Sequence, residues 1–419
     1  MNLAVISVAA LAIAVTISCV TEINVGVLAL AMAWIIGVYI GGIPINTVIG
    51  GFPTPLFLTL TGVTLLFALA QTNGTLDRLA HHAVRACRGN RGIVPIMFFL
   101  LGAGLASMGP GNIATAALVA PMAMSTAARA GIPAFLMAIM VGNGANAGSV
   151  SPFAPTGIIV NGLMARIGMP GHSFDTYVAN LLAHAAVAFS GYFLFGGLKL
   201  FAKSDVTPSG AHAVDDLPKT EADAPFTGAQ WATLAVIALL LVGVILFEVN
   251  VGFGAFAGSV VLILTRCADD KEAVKRMPWR VILMVTGVTV LIAILEKAQG
   301  IDLLVSWVAR ISTAGSVTAV VAFIIGIISV YSSTSGVVLP AFLPMAPGLA
   351  EQLGLASGLG IAKAMIVGGH LVDVSPLSTI GALCIAGVAG DDVRPLFNKL
   401  LAWGLSMAVI GAAICWLVF

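Results

Sequence analysis

The sequence predicts an all-α polytopic membrane protein, because its composition is strongly apolar and its apolar runs are long. Of its 419 residues, 59% are hydrophobic and 9% are charged, whereas a soluble domain is about 25% charged. The mean hydropathy is +1.07. This composition excludes a globular enzyme, a nucleic-acid-binding protein and a disordered chain.

The apolar runs define the membrane spans, since a spanning helix needs about 20 largely apolar residues. The first run follows a terminus with no basic region and no cleavage motif, so we interpret it as a retained span. Residues 93–167 and 315–390 are also apolar, but each region is too long for one span and is interrupted by Gly, Pro, Ser and Asn. The clear spans are predicted over 3–20, 24–42, 55–72, 176–202, 228–247, 250–266, 280–297 and 396–419.

The two halves of the sequence resemble each other. TGVTLLFALA at 61–70 reappears as TGVTVLIAIL at 286–295, and VSPFAPTG at 150–157 reappears as VSPLSTIG at 374–381. If 93–128 is a re-entrant hairpin and 133–167 is one broken span, each half crosses the membrane an odd number of times. The second copy is then inverted relative to the first, with five crossings in each.

This interpretation divides the chain into three parts. The first inverted repeat is 1–202, the polar cytoplasmic linker is 203–226, and the second inverted repeat is 227–419. Within the repeats, the scaffold helices are predicted over 1–90 and 227–313, and each hairpin with its broken helix over 93–167 and 315–390.

The basic residues predict the orientation. The chain has 19 Lys and Arg residues, and on this topology all but Arg166, Lys297, Arg310 and Lys363 fall on one face. By the positive-inside rule that face is cytoplasmic, so both termini lie outside a bacterial-type cytoplasmic (inner) membrane. No Arg is expected at the midplane.

Four breaks in the apolar regions predict a binding site, since non-helical backbone at membrane depth is tolerated only inside protein or beside water. The breaks are 107–115, 142–152, 332–336 and 368–376. Helix N-termini suit a carboxylate, while unwound carbonyls and nearby hydroxyls suit a sodium ion. We therefore predict a midplane site for an anion with coupling cations. The alternative is that these Gly and Ser residues only permit close helix packing.

Asp373 is the one acidic residue placed deep in the membrane, where such a group is by default functional. It could ligate a cation, carry a proton or accept hydrogen bonds from loop amides. His370 could bind a carboxylate, titrate or only pack, and we interpret His184 as a packed core residue. The predicted substrate-binding residues are Asn112, Thr115, Asn146, Ser151, Thr334, Ser335, His370, Ser375 and Ser378. The predicted cation-site residues are Gly111, Asn112, Asn143, Ser149, Ser333 and Asp373.

The sequence of the first hairpin resembles that of a known family. SMGPGNIATAALVAPMAM at 107–124 resembles the hairpin-tip signature of the divalent anion:sodium symporters, in which a Ser-Asn-Thr triplet precedes Ala-Thr-Ala-Ala. The whole chain resembles the MatC malonate and dicarboxylate carriers of the same ion transporter superfamily. The resemblance places the triplet on Gly111-Asn112-Ile113 and on Thr334-Ser335-Gly336, so only Asn112 is retained. It also implies an elevator mechanism and a homodimeric scaffold.

The leading functional hypothesis is a secondary active transporter that imports a small dicarboxylate, malonate or a C4 acid, with Na⁺ or H⁺ as the coupling ion. A cation/proton antiporter that uses Asp373, and a membrane subunit of a multi-component carboxylate transporter, remain alternatives. An intramembrane enzyme is disfavoured, because no Ser-His-Asp spacing and no HExxH motif occurs. No Walker loop occurs either, which disfavours ATP-driven transport by this chain alone. We expect no catalytic residue, no covalent cofactor and no nucleic-acid partner; the expected partners are the dicarboxylate anion, the lipid bilayer and a second copy.

Overall fold

The structure is a computed structural model that describes residues 2–21, 23–86, 90–201, 225–388 and 393–419. These residues form helices and no β-strand. Seven helices among them are long and apolar enough to cross a membrane, and five shorter helices are also apolar. The prediction of a polytopic all-α membrane protein is confirmed. The predicted linker lies outside the described residues except for 225–226.

The described residues before the linker form ten α-helices. They are α1 (Leu3–Val20), α2 (Val25–Trp34, continued by a π-helical turn Ile35–Ile40), α3 (Ile45–Gly50), α4 (Thr54–Thr72), α5 (Thr75–Ala86), α6 (Ile93–Met108), α7 (Gly111–Ala130), α8 (Ala134–Ser149), α9 (Pro155–Arg166) and α10 (Ser173–Leu194). A 3₁₀ turn over Gly197–Phe201 follows α10.

The second half contains the remaining helices. Its helices are α11 (Gly228–Phe247), α12 (Val251–Leu264), α13 (Asp270–Arg276), α14 (Trp279–Lys297), α15 (Gly300–Arg310), α16 (Val317–Tyr331), α17 (Leu339–Phe342), α18 (Ala346–Gln352), α19 (Leu359–Leu371), α20 (Thr379–Ala386) and α21 (Arg394–Val418). The helices α4 and α14 each have 19 residues. Helix α2 packs on α14, and helix α12 packs on α4.

Glycines permit both of these helix contacts. A Cβ at Gly26 would lie 2.0 Å from the carbonyl oxygen of Leu283, and one at Gly287 would lie 2.1 Å from that of Gly26. In the other pair, a Cβ at Gly62 would lie 2.4 Å from the carbonyl oxygen of Gly252. Such contacts are typical of membrane helices, in which small residues let backbones approach.

The first hairpin turns within two residues. Gly109, between α6 and α7, has φ 141°, and a Cβ there would lie 1.8 Å from the ring of Phe67. Only glycine fits this position, so the chain reverses sharply and α7 returns along α6. The helix α8 then runs through the core, where every residue from Leu136 to Ser149 is buried.

The second hairpin is irregular. After α16 the chain forms a π-helical turn over Thr334–Val338, the short helix α17, a 3₁₀ turn over Leu343–Met345, and α18. Pro340, Pro344 and Pro347 interrupt this stretch. Because proline lacks an N–H group and clashes with the preceding turn, no continuous α-helix can form here.

Candidate functional site

A cavity of about 630 Å³ lies where the two hairpin tips approach the beginnings of α2 and α14. Its floor is buried and includes Asn112, Ser329 and Thr334, whereas Ile23 and Arg280 on its rim are exposed. The residues that line it are Thr21, Ile23, Val25, Asn112, Ile113, Arg280, Val281, Met284, Ser329, Val330, Tyr331, Ser332, Ser333, Thr334, Ser335, Asp373, Leu377, Ser378, Thr379 and Ile380.

Two helix N-termini meet at this cavity. The helix α7 begins at Gly111 and α20 begins at Thr379, and the two helices pack against each other. The cavity is lined by Asn112 and Ile113 in the first turn of α7 and by Thr379 and Ile380 in the first turn of α20. The hydroxyl of Ser378 caps α20 by accepting a hydrogen bond from the N–H of Gly381 at 3.3 Å. The first turn of a helix leaves N–H groups without intrahelical acceptors and carries partial positive charge. The cavity floor is therefore suited to an anion.

The second hairpin tip contributes hydroxyls and one carboxylate. Thr334 donates a hydrogen bond to Oδ1 of Asp373 at 2.8 Å and lies 3.3 Å from the carbonyl oxygen of Gly369. The hydroxyl of Ser378 donates to the backbone carbonyl of Asp373. These contacts join the tip to the break between α19 and α20, so oxygen atoms from two separate segments face one space.

The first hairpin tip contributes an amide. The side chain of Asn112 donates to Oδ1 of Asn146 at 2.8 Å, and its own Oδ1 accepts from the N–H of Ile113 at 3.0 Å. Asn112 is thereby fixed between the hairpin and α8. Its position at the floor makes it the residue through which the buried α8 contacts the cavity.

A buried polar cluster lies behind Asn112, formed by Asn143, Asn146, Asn180 and His184, all of which are fully buried. Asn180 donates to the carbonyl oxygen of Asn146 at 2.8 Å, and Nδ1 of His184 lies 2.9 Å from Oδ1 of Asn143. The amide of Asn143 donates to Ile139, so its Oδ1 is free to accept from the imidazole. The cluster connects α8 to α10 and supports the tip of the first hairpin.

Six of the residues predicted from sequence line the cavity. They are Asn112, Ser333, Thr334, Ser335, Asp373 and Ser378. All six lie at the hairpin tips or at the break between α19 and α20, so the structure brings together three of the four predicted segments.

The other predicted residues lie outside the lining, in buried positions. They are Gly111, Thr115, Asn143, Asn146, Ser149, Ser151, His370 and Ser375. Most are used in local structure: Ser151 donates to the carbonyl oxygen of Ser107 at 2.7 Å, Ser149 donates to that of Asn146 at 2.8 Å, and Nδ1 of His370 donates to that of Ile366 at 2.8 Å.

Sequence reasoning missed two residues that line the cavity. Arg280, assigned from the charge pattern to the cytoplasmic face, lies on the cavity rim at the start of α14. Ser329, in the last turn of α16, is 2% exposed, and its hydroxyl has no hydrogen-bond partner among the described residues. A serine in an apolar helix gives no pattern by which it could have been found.

The described residues contain no group of three or more His, Cys, Asp or Glu side chains that could hold a metal ion. Among the described residues, the oxygen ligands at the cavity are hydroxyls, backbone carbonyls and the carboxylate of Asp373. Hard monovalent cations accept such oxygen ligands, whereas zinc prefers nitrogen and sulfur.

The fold is that of known membrane transporters. The chain is similar to the YdaH transporter of Alcanivorax borkumensis, with 15% identity, 89% of this chain and 87% of that chain covered, and a TM-score of 0.57. It is also similar to MtrF of Neisseria gonorrhoeae, described within a class of antimetabolite efflux pumps, with 15% identity, coverage of 90% and 82%, and a TM-score of 0.59.

The family comparison is more specific. Residues 1–149 match the family model described as the dicarboxylate carrier protein MatC N-terminus. No curated protein matches the chain. The resemblance to MatC carriers predicted from sequence is thus confirmed over this part of the chain, and the comparisons indicate a multi-pass membrane transporter rather than an enzyme.

Proposed function

We propose that this protein is a secondary active transporter that imports a small dicarboxylate, malonate or a C4 acid, across the cytoplasmic membrane. The observation that carries the proposal is the cavity on which the N-terminal ends of α7 and α20 converge. Helix N-termini bind carboxylates through their backbone N–H groups and their positive dipole ends. The dicarboxylate carrier match over residues 1–149 supports the same substrate class.

The size and polarity of the cavity fit such a substrate. Its volume of about 630 Å³ is within the usual range of small-molecule sites, ~300–1,000 Å³, and leaves room for water around a three- or four-carbon acid. The amide of Asn112 and the hydroxyls of Ser329 and Ser335 supply further donors. We assign substrate binding to these groups and to Ser378.

The coupling ion is proposed to bind at the second hairpin tip. Asp373 supplies one negative charge, and Ser333 and Thr334 supply neutral oxygens beside it. This set of oxygen ligands suits Na⁺, and the half-buried carboxylate of Asp373 also suits H⁺. The ion would neutralise Asp373, so that this carboxylate no longer repels the carboxylates of the substrate.

The architecture we propose is an elevator built from two inverted repeats and assembled as a homodimer in the ion transporter superfamily. The equal lengths of α4 and α14, and the recurrence of the glycine contacts between α2 and α14 and between α12 and α4, support the repeat. On the proposed topology both termini are outside. The cavity then opens on the cytoplasmic side, where α1 ends and α14 begins.

A cation/proton antiporter is a second candidate, because Asp373 lies in the cavity and is its single acidic residue among the described lining residues. Such a protein would exchange cations with no organic anion. The two helix N-termini at the floor have no role in that chemistry.

Uptake into proteoliposomes tests the proposal. Labelled malonate and succinate are offered under an imposed Na⁺ gradient, an imposed H⁺ gradient or neither. We expect accumulation under one of the gradients, loss of accumulation in Asp373→Asn, and retained accumulation in Asp302→Asn, an exposed aspartate on α15. Cation/proton exchange with no uptake of either acid would establish the antiporter instead, and an absence of both activities would refute each candidate.

A further inference from the structure

A chain of side-chain amides leads from the cavity floor into the buried core. Asn112 lines the cavity, and its amide nitrogen donates a hydrogen bond to Oδ1 of Asn146 at 2.8 Å. Asn180 on α10 donates to the backbone carbonyl oxygen of Asn146 at 2.8 Å. Asn146 and Asn180 are fully buried, and neither lines the cavity. The side chain of Asn146 is therefore linked to the cavity through its hydrogen bond with Asn112.

A backbone N–H group fixes the direction of these amide bonds. The N–H of Ile113 can only donate, so the side-chain atom of Asn112 that lies 3.0 Å from it is the amide oxygen. The amide nitrogen of Asn112 then faces Asn146, which presents its own oxygen. Exchange of oxygen and nitrogen in either amide would set two donors or two acceptors against each other. Because an amide nitrogen carries two N–H donors, Asn146 uses one of them and leaves the second for the cavity.

The other end of the Asn146 amide has no such contact. Its Nδ2 is buried and has no hydrogen-bond partner among the described residues. A buried donor without a partner destabilises a fold, so an apolar side chain would serve better here for packing alone. The neighbouring Ala145 and Ala147 on α8 are apolar and equally buried. The hydrogen bond from its oxygen to Asn112 is therefore the contact that accounts for an amide at position 146.

We propose that Asn146 is a positioning residue for substrate binding: it holds one N–H of Asn112 so that the second N–H points at a substrate carboxylate. This inference rests on the proposed function. It gives Asn146 an indirect role in place of the direct substrate contact predicted from sequence. Hydrogen bonds weaken steeply when donor and acceptor are misaligned. Without the oxygen of Asn146, the amide of Asn112 turns, and its N–H groups are divided between substrate and water.

Calorimetric titration of the purified full-length protein with malonate, in detergent, tests this role. Asn146→Leu keeps the shape of the side chain and removes its oxygen, and it is measured in the wild type and in Asn112→Ala. Asn146→Ala repeats the cycle with a smaller side chain, so that a packing defect of the leucine variant does not decide the result. The control is Thr126→Val, because Thr126 is a fully buried polar residue on α7 that does not line the cavity. Thermal unfolding shows which variants are folded.

We expect Asn146→Leu and Asn146→Ala to raise the Kd for malonate by about 3- to 10-fold in the wild type, because one hydrogen bond to the substrate is lost or misdirected. In the Asn112→Ala background neither substitution raises the Kd further, because the residue through which Asn146 acts has lost its amide. Thr126→Val leaves the Kd unchanged. A residue with a merely structural role would raise the Kd in both backgrounds.

The outcomes separate this inference from the proposed function. If the substitutions at Asn146 raise the Kd by the same factor in both backgrounds, Asn146 acts independently of Asn112 and the inference is refuted. A folded Asn146 variant that binds malonate like the wild type also refutes it, as does an Asn112→Ala variant with an unchanged Kd. In these cases the wild type still binds malonate, so the dicarboxylate carrier stands. If the wild type binds neither malonate nor succinate, the proposed function itself fails.

Discussion

The hydroxyl of Thr334 is predicted to stabilise the second hairpin tip through Asp373. Its side chain is 3% exposed and donates to Oδ1 of Asp373 at 2.8 Å. Thr334→Val keeps the shape of the side chain and removes its donor. The substitution leaves a carboxyl oxygen with one fewer hydrogen-bond partner. We expect it to lower the free energy of unfolding by ~0.5–1.5 kcal/mol if that acceptor is neutral and by ~1.5–3 kcal/mol if it is ionised.

A matched control separates this contact from the general effect of a Thr-to-Val change. Thr64 on α4 is 5% exposed and donates back to the carbonyl oxygen of Leu60 at 2.8 Å within its own helix. That carbonyl already accepts an intrahelical bond, so Thr64→Val leaves no group unsatisfied. We expect Thr64→Val to lower the free energy of unfolding by at most about 0.5 kcal/mol, because it leaves no polar group unsatisfied.

The assay is the free energy of unfolding in mixed micelles of a mild detergent and SDS, arranged as a double-mutant cycle. Thr334→Val is measured in the wild type and in Asp373→Ala. If the hydrogen bond provides the stability, the cost of Thr334→Val falls in the Asp373→Ala background to the cost of Thr64→Val. An equal cost in both backgrounds would refute the reasoning.

Further outcomes are expected for the helix contacts and for the cavity floor. Gly287→Ala places a Cβ 2.1 Å from the backbone of Gly26, so we expect it to lower the free energy of unfolding by about 1–3 kcal/mol. The control Gly104→Ala, on α6, places a Cβ that meets no atom within 4 Å. We expect this control to raise the free energy of unfolding by ~0.5–1 kcal/mol. A Gly287→Ala variant as stable as the wild type would contradict the close contact. Asn112→Ala removes an amide donor from the cavity floor and its bond to Asn146, so we expect the Kd for malonate to rise about tenfold. An unchanged Kd in calorimetric titration would remove Asn112 from the site.

Much of the fold was accessible from sequence because the lipid imposes a simple rule on helix length and composition. The predicted span 280–297 corresponds to α14 at Trp279–Lys297. The predicted span 176–202 was longer than α10, which ends at Leu194. Gly196, with φ 89°, interrupts the run there without changing its hydropathy.

The site was harder to predict, because side-chain direction at a helix break is set by tertiary contacts. His370 and Asp373 are three residues apart, yet His370 is fully buried against its own helix while Asp373 lines the cavity. Asn180 lies in an apolar run that gives no sign of a polar contact. Arg280 follows a cluster of basic residues, so its charge indicated a cytoplasmic loop and not a cavity.

The glycine contacts have a consequence for how the protein responds to its surroundings. Where Gly26 meets Gly287 and Gly62 meets Gly252, backbone touches backbone, so the attraction comes from dispersion and from weak Cα–H···O bonds. Neither depends on the release of water. We therefore expect these two crossings to hold equally in detergent and in bilayers of different lipid composition, and to weaken little on cooling.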